Sequence, residues 1–171
     1  DLSRPEGRAL AVRLITSPDP AGGMFVTNFP AEGFLAHDKL AAHRADLITV
    51  RVMGWADGGT ALDYTVNAAA GYPLMTGPVG DDKPVNHVLP AWDLLTGAYA
   101  AFAVMAAERH RRLTGPGQEV RVPLWDMAIA TRGNLRQSAE VLSSREERAR
   151  AGAGRSRAFR SDAAAPGGAA V

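Results

Sequence analysis

The chain has 171 residues, 18 acidic and 19 basic, giving a formal net charge of +1 and no cysteine. That length suffices for one domain with a real core. Near neutrality argues against nucleic acid or an anionic membrane as partner, and the missing cysteines exclude disulfides and thiolate metal sites. No apolar run reaches the roughly 18 residues of a membrane span, no metal site is expected, and a cytoplasmic setting is the expectation.

The chain opens inside a helix signal and without Met, which reads as a piece of something longer. Ser3-Arg-Pro-Glu6 has the form of a capping box, with Pro5 in the first turn. Leu10, Leu14 and Ile15 recur at helical spacing with Val12 beside them, which predicts an amphipathic helix over residues 4–17, stopped by Ser17-Pro-Asp-Pro20. Met24–Thr27 reads as a short strand, residues 31–44 as a second helix and Leu47–Met53 as a clear strand. Helix and strand alternating over short connections imply an α/β fold, a partial Rossmann-like parallel sheet with flanking helices whose first strand is absent.

Residues 54–90 are punctuated by Gly58-Gly59, Gly71, Gly77-Pro78 and Gly80-Asp-Asp-Lys-Pro84, with room for a short helix over Asp63–Ala70. So long a Gly/Pro-rich connection inside a compact domain usually binds something. A long helix follows. Pro90 suits its first position, and Asp93 falls in its first turn, near free backbone N–H groups and the positive end of the helix dipole. From Leu94 to Ala107 the side chains are apolar or small on every face, which predicts a helix buried all round. A carboxylate at the mouth of such a helix is rigid and partly cut off from water, as a reacting acid should be. The same placement also suits a first-turn charge that does no more than stabilise the helix.

Glu108-Arg-His-Arg-Arg112 puts cations at the negative end of this helix, and Thr114-Gly-Pro-Gly117 stops it. Gln118–Leu124 alternates as a strand, and Trp125 to about Leu142 reads as another helix. Residues 1–142 thus form one domain. Residues 143–171 are rich in arginine, alanine and glycine and cannot bury enough surface to offset their chain entropy, so a disordered tail is expected beyond a helical extension. The tail lacks the aromatic interleaving of a nucleic-acid binder.

Several separated stretches resemble the class III CoA-transferases (the CaiB/BaiF type), the family that includes formyl-CoA transferase and the α-methylacyl-CoA racemases. They are Asp1-Leu-Ser-Arg-Pro-Glu-Gly-Arg8, Thr27-Asn-Phe-Pro30, the run from Pro90 to Tyr99, and Arg111-Arg-Leu-Thr-Gly-Pro-Gly-Gln118 with Glu-Val-Arg-Val-Pro-Leu124 after it. Their order and spacing carry the resemblance, over roughly residues 1–142. Members of that family are much longer, so the resemblance makes this chain a fragment that lacks an N-terminal strand region and a C-terminal segment with a glycine-rich loop.

The resemblance implies that Asp93 is the nucleophile. The carboxylate would attack an acyl-CoA thioester to give a mixed anhydride and CoA thiolate. The thiolate would return to form an aspartyl-CoA thioester, and a second carboxylic acid would then take up the CoA. Coenzyme A thioester is substrate here, with no permanently bound cofactor. The partners implied are acyl-CoA and a carboxylic acid, with a homodimer for the full-length protein. Asn28 and Phe29 match positions lining the CoA site, and His37 stands near where the family has an arginine toward the CoA phosphates. A racemase would need an acid/base histidine where this chain has Leu62, so racemase stands behind transferase. Ala61-Leu-Asp-Tyr-Thr-Val-Asn67 and Pro84–Asp93 look like the 2-methylfumaryl-CoA (mesaconyl-CoA) isomerase subgroup, which moves CoA between two carboxyls of one acid. Asp63, Tyr64, Asn67, Asn86 and His87 are then candidates to hold the free carboxylate. A rival reading is a truncated, inactive copy that serves at most as a binding or oligomerisation module. A generic nucleotide-binding domain is a third, and the chain lacks the glycine-loop spacings it would need.

Overall fold

In the computed structural model, which describes residues 1–78 and 80–144, three parallel strands lie in the order β1-β2-β3: β1 (Met24–Thr27), β2 (Ile48–Met53) and β3 (Gln118–Pro123). Their register sets Thr27 beside Arg51 and Arg51 beside Arg121. Alternation divides β2 between two faces. Ile48, Val50 and Val52 turn toward the long helix α5 (Ala91–Thr114), whose Ala100, Ala103, Val104 and Ala107 meet them together with Val120 and Val122 of β3. The alanines let the helix lie close on the sheet. Each fully buried aliphatic side chain there contributes on the order of 1.5–3 kcal/mol. A second cluster joins Val66 and Ala70 of α3 (Asp63–Ala69) and its C-cap to Trp92 of α5 and to Leu124 and Ala128 of α6 (Leu124–Asn134). This cluster locks the start of α5 to the end of the sheet.

The strands, the long central helix and the short helix at Asp63 stand where the sequence puts them. Other elements depart from expectation. The first helix, α1, runs only over Pro5–Ile15; its N-cap is Arg4, so the capping box does not form, and Ser3 instead donates its backbone N–H to Asp1 Oδ1 at 2.9 Å. No residue of α1 is buried, and Leu10 and Leu14 face outward. The helix expected over 31–44 breaks into a 3₁₀ turn (Gly33–Leu35) and the short α2 (His37–Ala41). Gly33 has φ 58° and Ala36 is extended, and neither continues an α-helix. The connection after β2 holds α3 and a further turn, α4 (Tyr72–Met75), entered through Gly71 at φ 80°.

Pro90 is the N-cap of α5 rather than its first residue. The expectation that this helix is buried all round is overturned. One face packs on the sheet, while Phe102 (69 % exposed) and Met105 (72 % exposed) stand on an open one. The single helix expected from Trp125 to about Leu142 is two. α6 ends at Asn134, Arg136 takes the left-handed φ of 55°, and α7 (Gln137–Ser144) begins beyond it. The tail expected to be disordered lies, from residue 145 on, outside the described residues.

Candidate active site

Parallel α/β sheets bind ligands outside the carboxyl ends of their strands, because loops and helix N-termini converge there. In this chain Thr27 ends β1 and accepts the Phe29 backbone N–H on Oγ1 at 2.9 Å, a turn that leaves Phe29 exposed. Asn28 and Phe29 form one wall of a cleft of about 480 Å³, with the end of β2 from Arg51, the loop glycines Gly58 and Gly59, and Asp93 and Gly97 of α5. Asn28, Phe29 and Asp93, three residues singled out from sequence, therefore meet in one cleft. Leu62 stands in the same wall.

The start of α5 is fixed from a distance. Pro90 offers no side-chain cap. Asp63, in the first turn of α3 and only 3 % exposed, supplies one: its Oδ2 accepts the backbone N–H of Trp92 at 2.6 Å and of Asp93 at 3.1 Å. Its Oδ1 lies 2.8 Å from His87 Nε2. One turn along α3, Asn67 accepts the Trp92 indole N–H at 3.1 Å and donates to Asn86 Oδ1 at 2.6 Å, and Asn86 Oδ1 also accepts the His87 backbone N–H at 3.1 Å. Tyr64 presents its ring edge-on to His87, centroids 5.9 Å apart.

Asp63, Tyr64, Asn67, Asn86 and His87 thus do gather, around Trp92. The cleft wall beside Asp93 is built from other residues. The side-chain oxygens of Asp63 and both polar atoms of Asn67 are already engaged within this network. His37, expected near phosphates, also stands apart from that wall, its Nδ1 2.9 Å from Thr49 Oγ1.

Asp93 is exposed, opening on the cleft. Its carboxyl is nevertheless pushed above the ordinary aspartate value, first by partial loss of hydration and second by the negative charge of Asp63. A raised carboxyl pKa in a cleft makes Asp93 a candidate functional acid. Sequence reasoning passed over two wall residues. Arg51, the one cation in the wall among the described residues, lies 3.2 Å from Glu119, a carboxylate it shares with Arg121. A lone arginine in a strand of β-branched residues is the signal that could have found it. Gly97, one turn beyond Asp93, is the other.

Among the described residues no group of three or more His, Asp or Glu could hold a metal ion, and no helix is long and apolar enough to cross a membrane.

Comparison with known proteins places these features in a wider set. The profile of CoA-transferase family III matches residues 1–165. The chain is 51 % identical over 152 residues to 2-methylfumaryl-CoA isomerase of Chloroflexus aurantiacus, covering 89 % of this chain and 37 % of that protein. It is 29 % identical over 143 residues to succinate–glutarate CoA-transferase of Agrobacterium fabrum, covering 78 % of this chain and 34 % of the relative. A crystal structure of a CAIB/BAIF family protein from Brucella suis shares the fold with a TM-score of 0.76 at 24 % identity, over 88 % of this chain and 40 % of that one. The chain thus spans about a third of the length of the curated relatives it matches.

Proposed function

This chain belongs to CoA-transferase family III, and on that premise we propose that it works in the transfer of coenzyme A between carboxyl groups, with Asp93 as covalent nucleophile. The observation that carries the reading is Asp93 itself: a carboxylate fixed in the first turn of a long helix, opening into the cleft at the strand ends beside Asn28 and Phe29. The Asp93 oxygen attacks the thioester carbon, the C–S bond breaks, and a mixed anhydride forms as the CoA thiolate leaves. The thiolate then attacks the aspartyl carbonyl, forming an aspartyl-CoA thioester and freeing the first acid. An acceptor carboxylate attacks that thioester, again giving an anhydride and thiolate. Attack of the thiolate on the acceptor acyl carbon yields the new thioester and restores Asp93.

Identity of 51 % with an enzyme named 2-methylfumaryl-CoA isomerase supports the intramolecular form, in which donor and acceptor are two carboxyls of one unsaturated dicarboxylic acid. Leu62 in the cleft wall supports transfer over racemisation, because an aliphatic side chain cannot exchange a proton at an α-carbon. Asn28 and Phe29 take the CoA moiety in this reading. Self-association is part of the same proposal, supported by the open apolar faces of α1 and α5.

The test is to mix the intact protein with the thioester and look by mass spectrometry for an adduct on the peptide carrying Asp93 with the mass of CoA less water. Asp93→Ala is expected to lose both adduct and CoA exchange while keeping its fold. Full exchange in that variant overturns the assignment.

A further inference from the structure

Asp63 is a buried carboxylate with no place in the cleft wall, and its partners say what it does. Helix α5 begins at a proline that carries no hydrogen-bonding side chain. A helix start leaves backbone N–H groups that need acceptors. Asp63 Oδ2 accepts two of them, from Trp92 and from Asp93 itself. The contact joins residues 29 and 30 positions apart and ties α3 to the turn that bears the nucleophile. The other oxygen is held by His87, and Asn67 secures the Trp92 ring from the same helix. We propose that Asp63, held by His87, is the positioning residue for Asp93: it fixes the turn that aims the nucleophile and sets the charge behind it.

This rests on the reading of Asp93 as nucleophile. A misplacement of about 1 Å in a reacting group can cost on the order of 10²-fold in rate, so a cap made directly to the nucleophile's own N–H governs turnover. Charge acts alongside geometry, because Asp63 is the ionised neighbour that raises Asp93. The other charged groups of the cleft wall are Arg51, which faces Glu119, and Glu32; His87 reaches Asp63.

Two substitutions separate cap from charge. Asp63→Ala removes both. Asp63→Asn keeps an acceptor for the two amides, with the His87 ring taking the tautomer that accepts from the new amide, and removes only the charge. In the intact protein, Asp63→Ala is expected to lower kcat about 100-fold with KM for the thioester within about threefold. Asp63→Asn is expected to recover at least tenfold of that loss, with the acid limb of its kcat/KM profile displaced to lower pH. A side chain that only helped folding would not move that limb. Wild-type kcat in Asp63→Ala, or an unmoved limb in Asp63→Asn, overturns the proposal; if Asp63→Ala does not fold, Asp63→Asn decides alone.

A second readout needs no catalysis. Carboxyl-carbon NMR of Asp93 is expected to show titration at lower pH in Asp63→Asn than in wild type, and identical titration overturns the coupling. If Asp93→Ala retained exchange, the functional reading would fall, while this titration would still report on Asp63.

Discussion

Gly97 lies one helical turn beyond Asp93 and lines the same cleft, and beyond the backbone of its own helix and its chain neighbours no described atom stands within 4 Å of the position its Cβ would occupy. The absent side chain therefore leaves open space above the carboxylate, in a helix interior where glycine is otherwise unfavourable. A methyl group there should help the fold and hinder the chemistry. Gly97→Ala is expected to raise stability by up to about 1 kcal/mol and to lower kcat/KM for the thioester roughly tenfold, in keeping with the loss from a misfitted reacting centre. Denaturant melts and steady-state kinetics on one preparation check both halves.

The ionisation of Asp93 sets a pH dependence. In the proposed reaction the attacking form is the carboxylate, and its pKa is raised, by lost hydration and then by Asp63. Activity should therefore fall on acidification at a pH above the ordinary aspartate range. The sign for stability is the reverse: the folded chain holds this proton more tightly than the unfolded one, so Asp93 detracts from stability as pH rises past the ordinary value. A kcat/KM profile whose acid limb lies at or below that value contradicts the first statement, and a stability difference between Asp93→Ala and wild type that does not shift in favour of the variant as pH rises contradicts the second.

Gly117 sits where two segments touch. A Cβ there would fall 2.0 Å from the Leu47 carbonyl oxygen, and the Gly117 N–H donates to Ala45 at 3.1 Å. The obstacle is backbone and cannot swing aside. Gly117→Ala is expected to destabilise by about 1–3 kcal/mol or more, seen as a lower unfolding midpoint with no change in the chemistry at Asp93.

Arg111, 8 % exposed near the end of α5, donates to the carbonyls of Gly22, Gly23 and Asp46 and pairs with Glu108 at 2.5 Å. It fastens the far end of the helix to the loops that precede β1 and β2. Arg111→Ala removes that donor from the Gly22 and Asp46 carbonyls, while Gly23 keeps the Ile48 N–H, and is expected to cost about 1–3 kcal/mol, measured by urea unfolding.

Asp46 makes the same corner sensitive to acid. Its carboxyl is held below the usual value chiefly by the Arg44 hydrogen bond, which together with the charges of Arg44 and Arg111 outweighs the opposing effect of burial. A depressed folded-state pKa contributes stability above the unfolded value, and that contribution is lost as pH falls through the folded one. Asp46→Asn should flatten the acid side of the stability profile, and an unchanged slope would count against the pairing.

Strand β2 was legible because Ile48, Val50 and Val52 alternate with Thr49 and Arg51 up to Gly54, and α5 because its cations and Gly115 mark its end. The cleft was legible in Asn28, Phe29 and Asp93. Burial of α5 was not, since an apolar side chain such as Phe102 reads the same whether or not something covers it. Nor was the part played by Asp63. A hydrogen bond across 30 residues leaves no local periodicity, so sequence could name Asp63, Asn67 and His87 as candidates to hold a free carboxylate but could not place Asp63 behind the Asp93 amide. The break at Arg136 lay hidden in a run whose apolar spacing continues through it.

Trp92 is buried between Asn67 and the rings of Tyr72 and His87, immediately before Asp93 in the chain. Its indole is thereby a native fluorophore wired into the turn that carries Asp93. With Trp55 and Trp125, whose rings meet at a tilt with centroids 5.1 Å apart, replaced by phenylalanine, its emission colour and lifetime become an unlabelled gauge of how firmly that turn is held, readable in the time of a stopped-flow mixing experiment.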